Sequence, residues 1–259
     1  MIKIGVIGTG TISSCMVKGL CKEKDIDSVY HFYLSPRNRE KAETLQKEFP
    51  QLVTVCSSNQ EVVDESEWVI LAVLPRMGEE IVSQLSFKEQ HKILTVMSDH
   101  SCNQVRQWTG EVKKVIRMVP LPFIEMGIGP VPIYPKDDEI KSIFSSVGEV
   151  IELEKETELS TISALTGIMS AYYMLLHEIT KWGSEHELSK TASLQYMTAF
   201  FDALSRKAAK APNEDVYHLA MEMTPGGLNE MALNYLKDKE AFTLWCEALD
   251  GIMDRLNKK

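Results

Sequence analysis

An apolar segment, Ile2-Lys-Ile-Gly-Val-Ile7, runs straight into Gly8-Thr-Gly10-Thr-Ile-Ser13 and from there into a stretch of helical character ending near Lys24. Strand, glycine turn and helix in that order constrain the fold more than any other feature of the chain. Gly8 permits a tight turn, Gly10 clears the backbone for a close-lying phosphate, and Ser13 is small enough for the helix to pack against the strand. The helix opens at Thr11 and Ile12 with backbone N–H groups free to face an anion. A lone turn of this kind is weak; its weight comes from the apolar runs downstream of it. These recur at Val29–Leu34, Leu52–Val55, Trp68–Leu74, Ile93–Met97 and Val115–Val119, separated by polar stretches of helical length such as Arg37–Phe49 and Met77–Leu85. Strands alternating with helices predict β-α-β units and a parallel sheet covered on both faces.

Pro120, Pro122, Pro130, Pro132 and Pro135 then crowd a short stretch that reads as extended chain and turns, and Val147–Leu153 closes the strand pattern. From Thr157 the period changes. Leu159, Ile162 and Leu165, then Tyr172, Leu175, Leu176 and Ile179, recur at three and four residues, as on amphipathic helices. Further helices are expected over Ser189–Lys210, Leu228–Leu236 and Lys239–Leu256, with a frayed end at Lys258-Lys259. Composition marks the same boundary. Residues 1–156 hold 18 Val and 2 Ala, whereas residues 157–259 hold 1 Val and 12 Ala. β-Branched residues favour strands and Ala favours helix. The expectation is an α/β Rossmann dinucleotide-binding domain over 1–156, followed by an all-helical domain over 157–259.

A net charge of −9, from 28 basic and 37 acidic residues, argues against nucleic acid or an anionic membrane as partner. No unbroken apolar run approaches the roughly 18–20 residues that span a bilayer, and Met1 leads into the first strand with no leader in between. Five cysteines without a C-x-x-C pair fit reduced thiols in a cytoplasmic protein. His177-Glu178 and His186-Glu187 each lack the second histidine of a zinc-binding helix, so no metal site is expected.

The end of the second strand bears on the nucleotide. A domain for NAD(H) usually places Asp or Glu there for the ribose 2′-hydroxyl; this chain has Leu34-Ser35-Pro36-Arg37-Asn38-Arg39, with no acid before Glu40. Hydroxyl and guanidinium groups suit a 2′-phosphate, which favours NADP(H) and makes Ser35, Arg37 and Asn38 candidate contacts.

These residues form part of a longer pattern. Lys3-Ile-Gly-Val-Ile-Gly-Thr-Gly10, Ser35-Pro36-Arg37, Leu71-Ala-Val-Leu-Pro75, Ile116-Arg-Met-Val-Pro120, Val147-Gly-Glu-Val150, Ala164-Leu-Thr-Gly167, Ala171-Tyr172 and Thr224-Pro-Gly-Gly227 stand in matching order and spacing. In them the chain resembles the pyrroline-5-carboxylate reductase family over nearly its whole length. The resemblance implies reduction of a cyclic imine to proline with NAD(P)H. It also implies a helical domain that interlocks with a second subunit, as a homodimer or a ring of dimers. The apolar Tyr196, Phe200, Phe201 and Trp245 agree, since about 100 residues alone bury such a surface poorly. Implied cofactor contacts are Gly8, Gly10, Thr11, Ile12, Asn59, Val73, Leu74 and Pro75, with Asn59 as a helix N-cap. Thr166, Met169 and Ser170 match a substrate loop. Thr224, Gly226 and Gly227 form a turn whose free N–H groups can hold a carboxylate. Glu178 and Asn229 are the catalytic candidates.

The departures fall on the substrate side. Leu74 stands where the family has Lys, Leu121 where it has Asn, and Leu228-Asn229 where it has two Thr; Thr166-Gly-Ile-Met-Ser-Ala-Tyr172 replaces a serine- and glycine-rich loop. Several polar groups lost together point to a bulkier or less polar ligand than pyrroline-5-carboxylate. Asp99 occupies a place where the family has a small residue, and the sequence assigns it no role. A related imine or 2-oxo-acid reductase and a non-catalytic NADP-binding regulatory protein remain alternatives. Lys181 lies late on its helix for the catalytic lysine of a 3-hydroxy-acid dehydrogenase.

Overall fold

The computed structural model describes residues 1–22, 29–110, 112–211 and 215–257. Contacts divide the chain into two compact units, Met1–Leu159 and Ser160–Lys259. The first is built on one sheet of β1 (Ile2–Ile7), β2 (Tyr30–Leu34), β3 (Val53–Val55), β4 (Trp68–Leu71), β5 (Lys92–Thr95), β6 (Lys114–Met118), β7 (Pro130–Tyr134) and β8 (Glu149–Glu152). Their order across the sheet is β3-β2-β1-β4-β5-β6-β7-β8. Neighbours run parallel except β6 and β7. The connections carry α1 (Thr11–Cys21), α2 (Arg39–Glu48), α3 (Asn59–Asp64), α4 (Gly78–Val82), α5 (Cys102–Thr109) and α6 (Asp138–Phe144).

The strands bury both faces, and period two sorts their side chains between two cores. Ile4, Val6, Phe32, Ile70, Leu94 and Ile116 enter one core with Leu20 and Leu45. Ile7, Val69, Leu71, Ile93 and Val115 enter the other with Val63, Val82 and Val105. Chain order reverses between β1 and β4, so the crevice beyond the carboxyl ends of those strands is where such a sheet takes a ligand.

One sequence expectation needs correction here. The proline-rich stretch is not only turns, because β7 lies within it, antiparallel to β6 and parallel to β8. Pro130 and Pro132 are two apart and face the β6 side, where pairing covers only Arg117–Tyr134 and Met118–Ile133. The carbonyl of Pro132 still accepts from Val119 N–H at 3.2 Å. The β8 ladder uses the alternate residues and loses no donor. The first helix ends at Cys21, and the expected end near Lys24, like the fraying at Lys258-Lys259, lies outside the described residues.

Two histidines couple this unit to pH. His91, 3% exposed, accepts the Lys88 N–H on Nδ1 at 3.0 Å, and His31 Nε2 shares a 2.9 Å hydrogen bond with the Thr54 hydroxyl. Burial holds both imidazoles below their ordinary pKa, reinforced by Lys88 beside His91 and Lys3 beside His31. Both stay neutral in the fold, so the unfolded chain takes up protons first as pH falls. Their stabilisation is complete above about pH 6.5 and is lost on acidification below it. The melting temperature should therefore fall between about pH 7.5 and 5.5, and a His91→Gln variant should flatten that fall. A melting temperature that holds or rises across the interval contradicts this assignment.

The second unit comprises α8 (Met169–Glu185), α9 (Lys190–Ala208), α10 (Val216–Met221), α11 (Leu228–Asp238) and α12 (Ala241–Asn257), entered through α7 (Glu158–Thr166). Gly183 lets α8 approach α9, since a Cβ there would lie 2.4 Å from Ser193 Oγ. Among the described residues of this unit only Ala164, Gly183 and Ser193 are buried. Tyr173, Met174, Trp182, Tyr196 and Phe200 are exposed. The stretch Glu158–Glu185 is long and apolar enough, by length and composition, to cross a membrane, with a mean hydropathy of 1.4 over its most apolar 18 residues. It does not stand out in the sequence as an unbroken apolar run because Thr166, His177 and Glu178 interrupt it.

Candidate functional site

The turn after β1 is held by the residues that form it. Gly8 has φ +99°, and a Cβ on it would lie 2.6 Å from the Ala72 carbonyl oxygen at the end of β4. Its N–H donates to Ser35 Oγ at 2.9 Å. Ser13 is more than small: its hydroxyl accepts the Gly10 N–H at 2.9 Å and donates to the Gly8 carbonyl at 2.7 Å, capping α1. Gly10 is different, because a Cβ there would meet nothing within 4 Å. Open space over Gly10, beside the unpaired amides of Thr11 and Ile12 at the start of α1, fits a phosphate and nothing else in the fold requires it.

The rim carries the polar groups. Ser35 is 1% exposed and its hydroxyl is taken by Gly8, so it braces the turn instead of presenting an oxygen outward. Arg37 and Asn38 are exposed, and Arg37 Nη1 lies 3.3 Å from Met77 Sδ. Arg39 is turned along its own helix to Glu43, at 2.7 Å. Lys41 is a rim residue that the sequence motifs do not mark; its ammonium donates to Thr11 Oγ1 at 3.2 Å, at the mouth of a cavity of about 340 Å³ shared with Asn38 and Ser14. Its signal was its place one turn into α2, on the side of Asn38. The N-cap of α3 is Ser58, whose hydroxyl accepts from Glu61 N–H at 3.1 Å, and Asn59 is the first helical residue. An N-cap needs extended backbone, which Ser58 has at φ −149°.

Beyond β4, Val73 and Leu74 lead into a 3-10 turn at Pro75–Met77, with Leu74 57% exposed. His100 Nε2 donates to the Pro75 carbonyl at 2.8 Å. The loop after β5 is pinned from below: Arg117 donates to the Ser98 carbonyl at 2.8 Å and to Glu156 at 2.9 Å, and Glu156 also accepts the Cys102 N–H at 2.7 Å. Asp99 is exposed on this loop and accepts from Ser98 Oγ at 2.7 Å. Burial, then Glu156, pushes the Cys102 thiol up to about 12, and burial pushes Cys56 up to about 11, so neither thiol is a nucleophile near neutral pH.

In the helical unit Thr166 Oγ1 donates to Ile162 O at 2.9 Å, inside its own helix. Met169 is half-buried and Ser170 exposed. Glu178 on α8 and Asn229 on α11 are both exposed, on helices whose most extensive pairings join α8 to α9 and α11 to α12. The turn Thr224–Gly227 departs from its expected free N–H groups. Gly226 has φ +72° and donates to the Glu230 carboxylate at 2.5 Å, and Gly227 donates to the Thr224 carbonyl at 2.9 Å.

The family described as "NADP oxidoreductase coenzyme F420-dependent" matches residues 3–98. Pyrroline-5-carboxylate reductase 2 of Bacillus subtilis is 25% identical over 253 residues, covering 92% of this chain and 88% of that protein. Among solved structures, pyrroline-5-carboxylate reductase of Streptococcus pyogenes superposes with TM-score 0.82 at 19% identity, over 100% of this chain and 99% of that one. The Plasmodium falciparum pyrroline carboxylate reductase, solved with NADP bound, gives 0.80 at 17%, over 98% and 97%. In sequence over nine-tenths of its length, and in fold over all of it, the chain is similar to pyrroline-5-carboxylate reductases.

Proposed function

We propose that the protein is an NADPH-dependent reductase of a C=N bond, a pyrroline-5-carboxylate reductase-like oxidoreductase acting on CH–NH groups. The observation that carries this reading is the open backbone at Gly10, flanked by the start of α1 and rimmed by Arg37, Asn38 and Lys41 with no acid at the end of β2. Residues 1–156 hold the nucleotide and residues 157–259 serve the substrate and a partner subunit. Bound NADPH supplies hydride to the imine carbon, yielding an amine and NADP⁺.

The chain's own residues bind and orient. The amides of Thr11 and Ile12 face the pyrophosphate over the open backbone of Gly10, while Arg37 and Asn38, with Lys41, hold the 2′-phosphate and Ser35 braces the turn beneath it. Asn59 lies toward the adenosine, and Val73, Leu74 and Pro75 toward the nicotinamide. Asn229 offers an amide to the imine, Glu178 a carboxylate, and Thr166, Met169, Ser170 and the Thr224–Gly227 turn further contacts. The nitrogen takes its proton from water or a polar side chain. A unit with three buried residues among those described needs more covering than it gives itself, which supports a homodimer or a ring of dimers. Cysteines that form no disulfide among the described residues suit the cytoplasm. Leu74, Leu121 and Leu228 favour a substrate other than pyrroline-5-carboxylate within the same chemistry.

Titration with NADPH and NADH tests the nucleotide assignment. Arg37→Ala should weaken NADPH roughly tenfold to a hundredfold, the range of one charge-assisted phosphate contact, and leave NADH within about twofold. An equal loss for both nucleotides refutes the 2′-phosphate role.

A further inference from the structure

The order of the sheet decides which strand ends each half of a dinucleotide meets. Arg37 and Asn38 follow β2, and the glycine turn follows β1. A nucleotide with its 2′-phosphate at the first and its pyrophosphate at the second carries its nicotinamide over the ends of β4 and β5. The chain leaving β4 passes against the glycine turn, with Ala72 O 2.6 Å from where a Gly8 Cβ would stand, and then rounds the Pro75–Met77 turn. One side chain from the loop after β5 holds that turn: His100 Nε2 donates to the Pro75 carbonyl at 2.8 Å. The imidazole stands edge-on to Trp108, with ring centroids 4.7 Å apart, and a Cβ on Gly78, just past the turn, would come 3.4 Å from its Cδ2. The loop that carries it is fixed on both sides, by Arg117 donating to Ser98 O at 2.8 Å and by the reciprocal cap of Ser101 and Gln104 on α5.

The second ring nitrogen shows what this contact costs. His100 Nδ1 is buried and has no hydrogen-bond partner among the described residues. A carbonyl only accepts, so the proton sits on Nε2 and Nδ1 is left as an unpaired acceptor. An apolar side chain would pack beside Trp108 without that penalty; what the imidazole adds is the donor to Pro75. With Nδ1 enclosed and Nε2 taken, the ring has no nitrogen to offer a bound molecule, and it acts through the turn. We propose that His100 is a positioning residue, which holds the Pro75–Met77 turn, and Val73 and Leu74 leading into it, as the wall on which the nicotinamide ring of NADPH rests. The proposal depends on the nucleotide reading above and deepens it.

Calorimetric titration of the full chain with NADPH and with 2′-phospho-ADP-ribose, which lacks the nicotinamide, separates the two halves of the site. His100→Leu and His100→Asn should each weaken NADPH roughly fivefold to tenfold, the order of one hydrogen bond, and leave the nicotinamide-free ligand within about twofold. His100→Gln should stay within about twofold of the parent for both ligands, because its amide nitrogen stands at the reach of Nε2, whereas that of Asn stands at the reach of Nδ1. Equal weakening of both ligands, no weakening of either, or a Gln variant as weak as the Leu variant overturns the proposal. Where His100→Leu does not fold, the Asn and Gln pair decides the same question. If the parent chain binds neither ligand, the nucleotide reading itself fails and the proposal falls with it.

Discussion

Replacing Gly8 with alanine is expected to destabilise the N-terminal unit by roughly 3–5 kcal/mol, through two costs that add. A positive φ of +99° is strained for any residue with a Cβ, and the new methyl group would sit 2.6 Å from the Ala72 carbonyl and 2.8 Å from the Val73 nitrogen. Both neighbours are backbone just past the end of β4, where the Ala72 N–H is bonded to the Ile7 carbonyl at 2.8 Å, and cannot swing aside. The turn is also fastened by the Gly8–Ser35 hydrogen bond across β1 and β2, so relief by shifting the turn breaks that bond. For a unit of this size the loss corresponds to a fall on the order of 10 °C in melting temperature. A Gly8→Ala protein that melts within about 2 °C of the parent would mean that the turn is not built as described.

Gly10→Ala should behave in the opposite way. Its backbone is extended, at φ −96° and ψ −168°, a conformation alanine adopts freely, and its Cβ would meet no atom within 4 Å. Stability should change by less than about 1 kcal/mol, the stiffer unfolded chain pulling toward a slight gain. NADPH affinity should nevertheless fall by about tenfold to a hundredfold, because the methyl group fills the space through which the phosphates reach the amides. Calorimetric melting and nucleotide titration on the same two variants separate the roles. The expected outcome is that Gly8 serves the fold and Gly10 serves the ligand. Unchanged NADPH binding in Gly10→Ala would remove the observation on which the functional reading stands.

The sequence disclosed the sheet well where side chains alternate between two buried faces. Ile4 and Val6 against Ile7, Ile70 against Val69 and Leu71, and Leu94 against Ile93 are all apolar because both sides are covered, and such runs are legible without a partner. β7 was not legible, because Pro130 and Pro132 read as breakers unless the lightly paired neighbour they face is known. The glycine turn was legible in its backbone demands but not in its hydrogen bonds. Ser35 reads as a phosphate contact from position alone, and only its burial and its bond to Gly8 reveal a brace. Lys41 and Glu230 share one cause of invisibility. Each acts across a turn or between helices, at Thr11 and at Gly226, and a charged residue near a helix start otherwise looks like solvated surface. The substrate side was the least legible part, since its matching positions carry different chemistry in this chain.

The central claim is hydride transfer from NADPH to a C=N carbon. Its most direct test incubates the full chain with NADPH deuterated at the reactive nicotinamide carbon and a panel of cyclic imines, following NADPH absorbance and analysing the amine by mass spectrometry. The expected result is loss of NADPH in step with amine formation for at least one imine, with deuterium on the former imine carbon. Tight NADPH binding with no amine formed from any imine would contradict it and leave a nucleotide-binding protein without this activity.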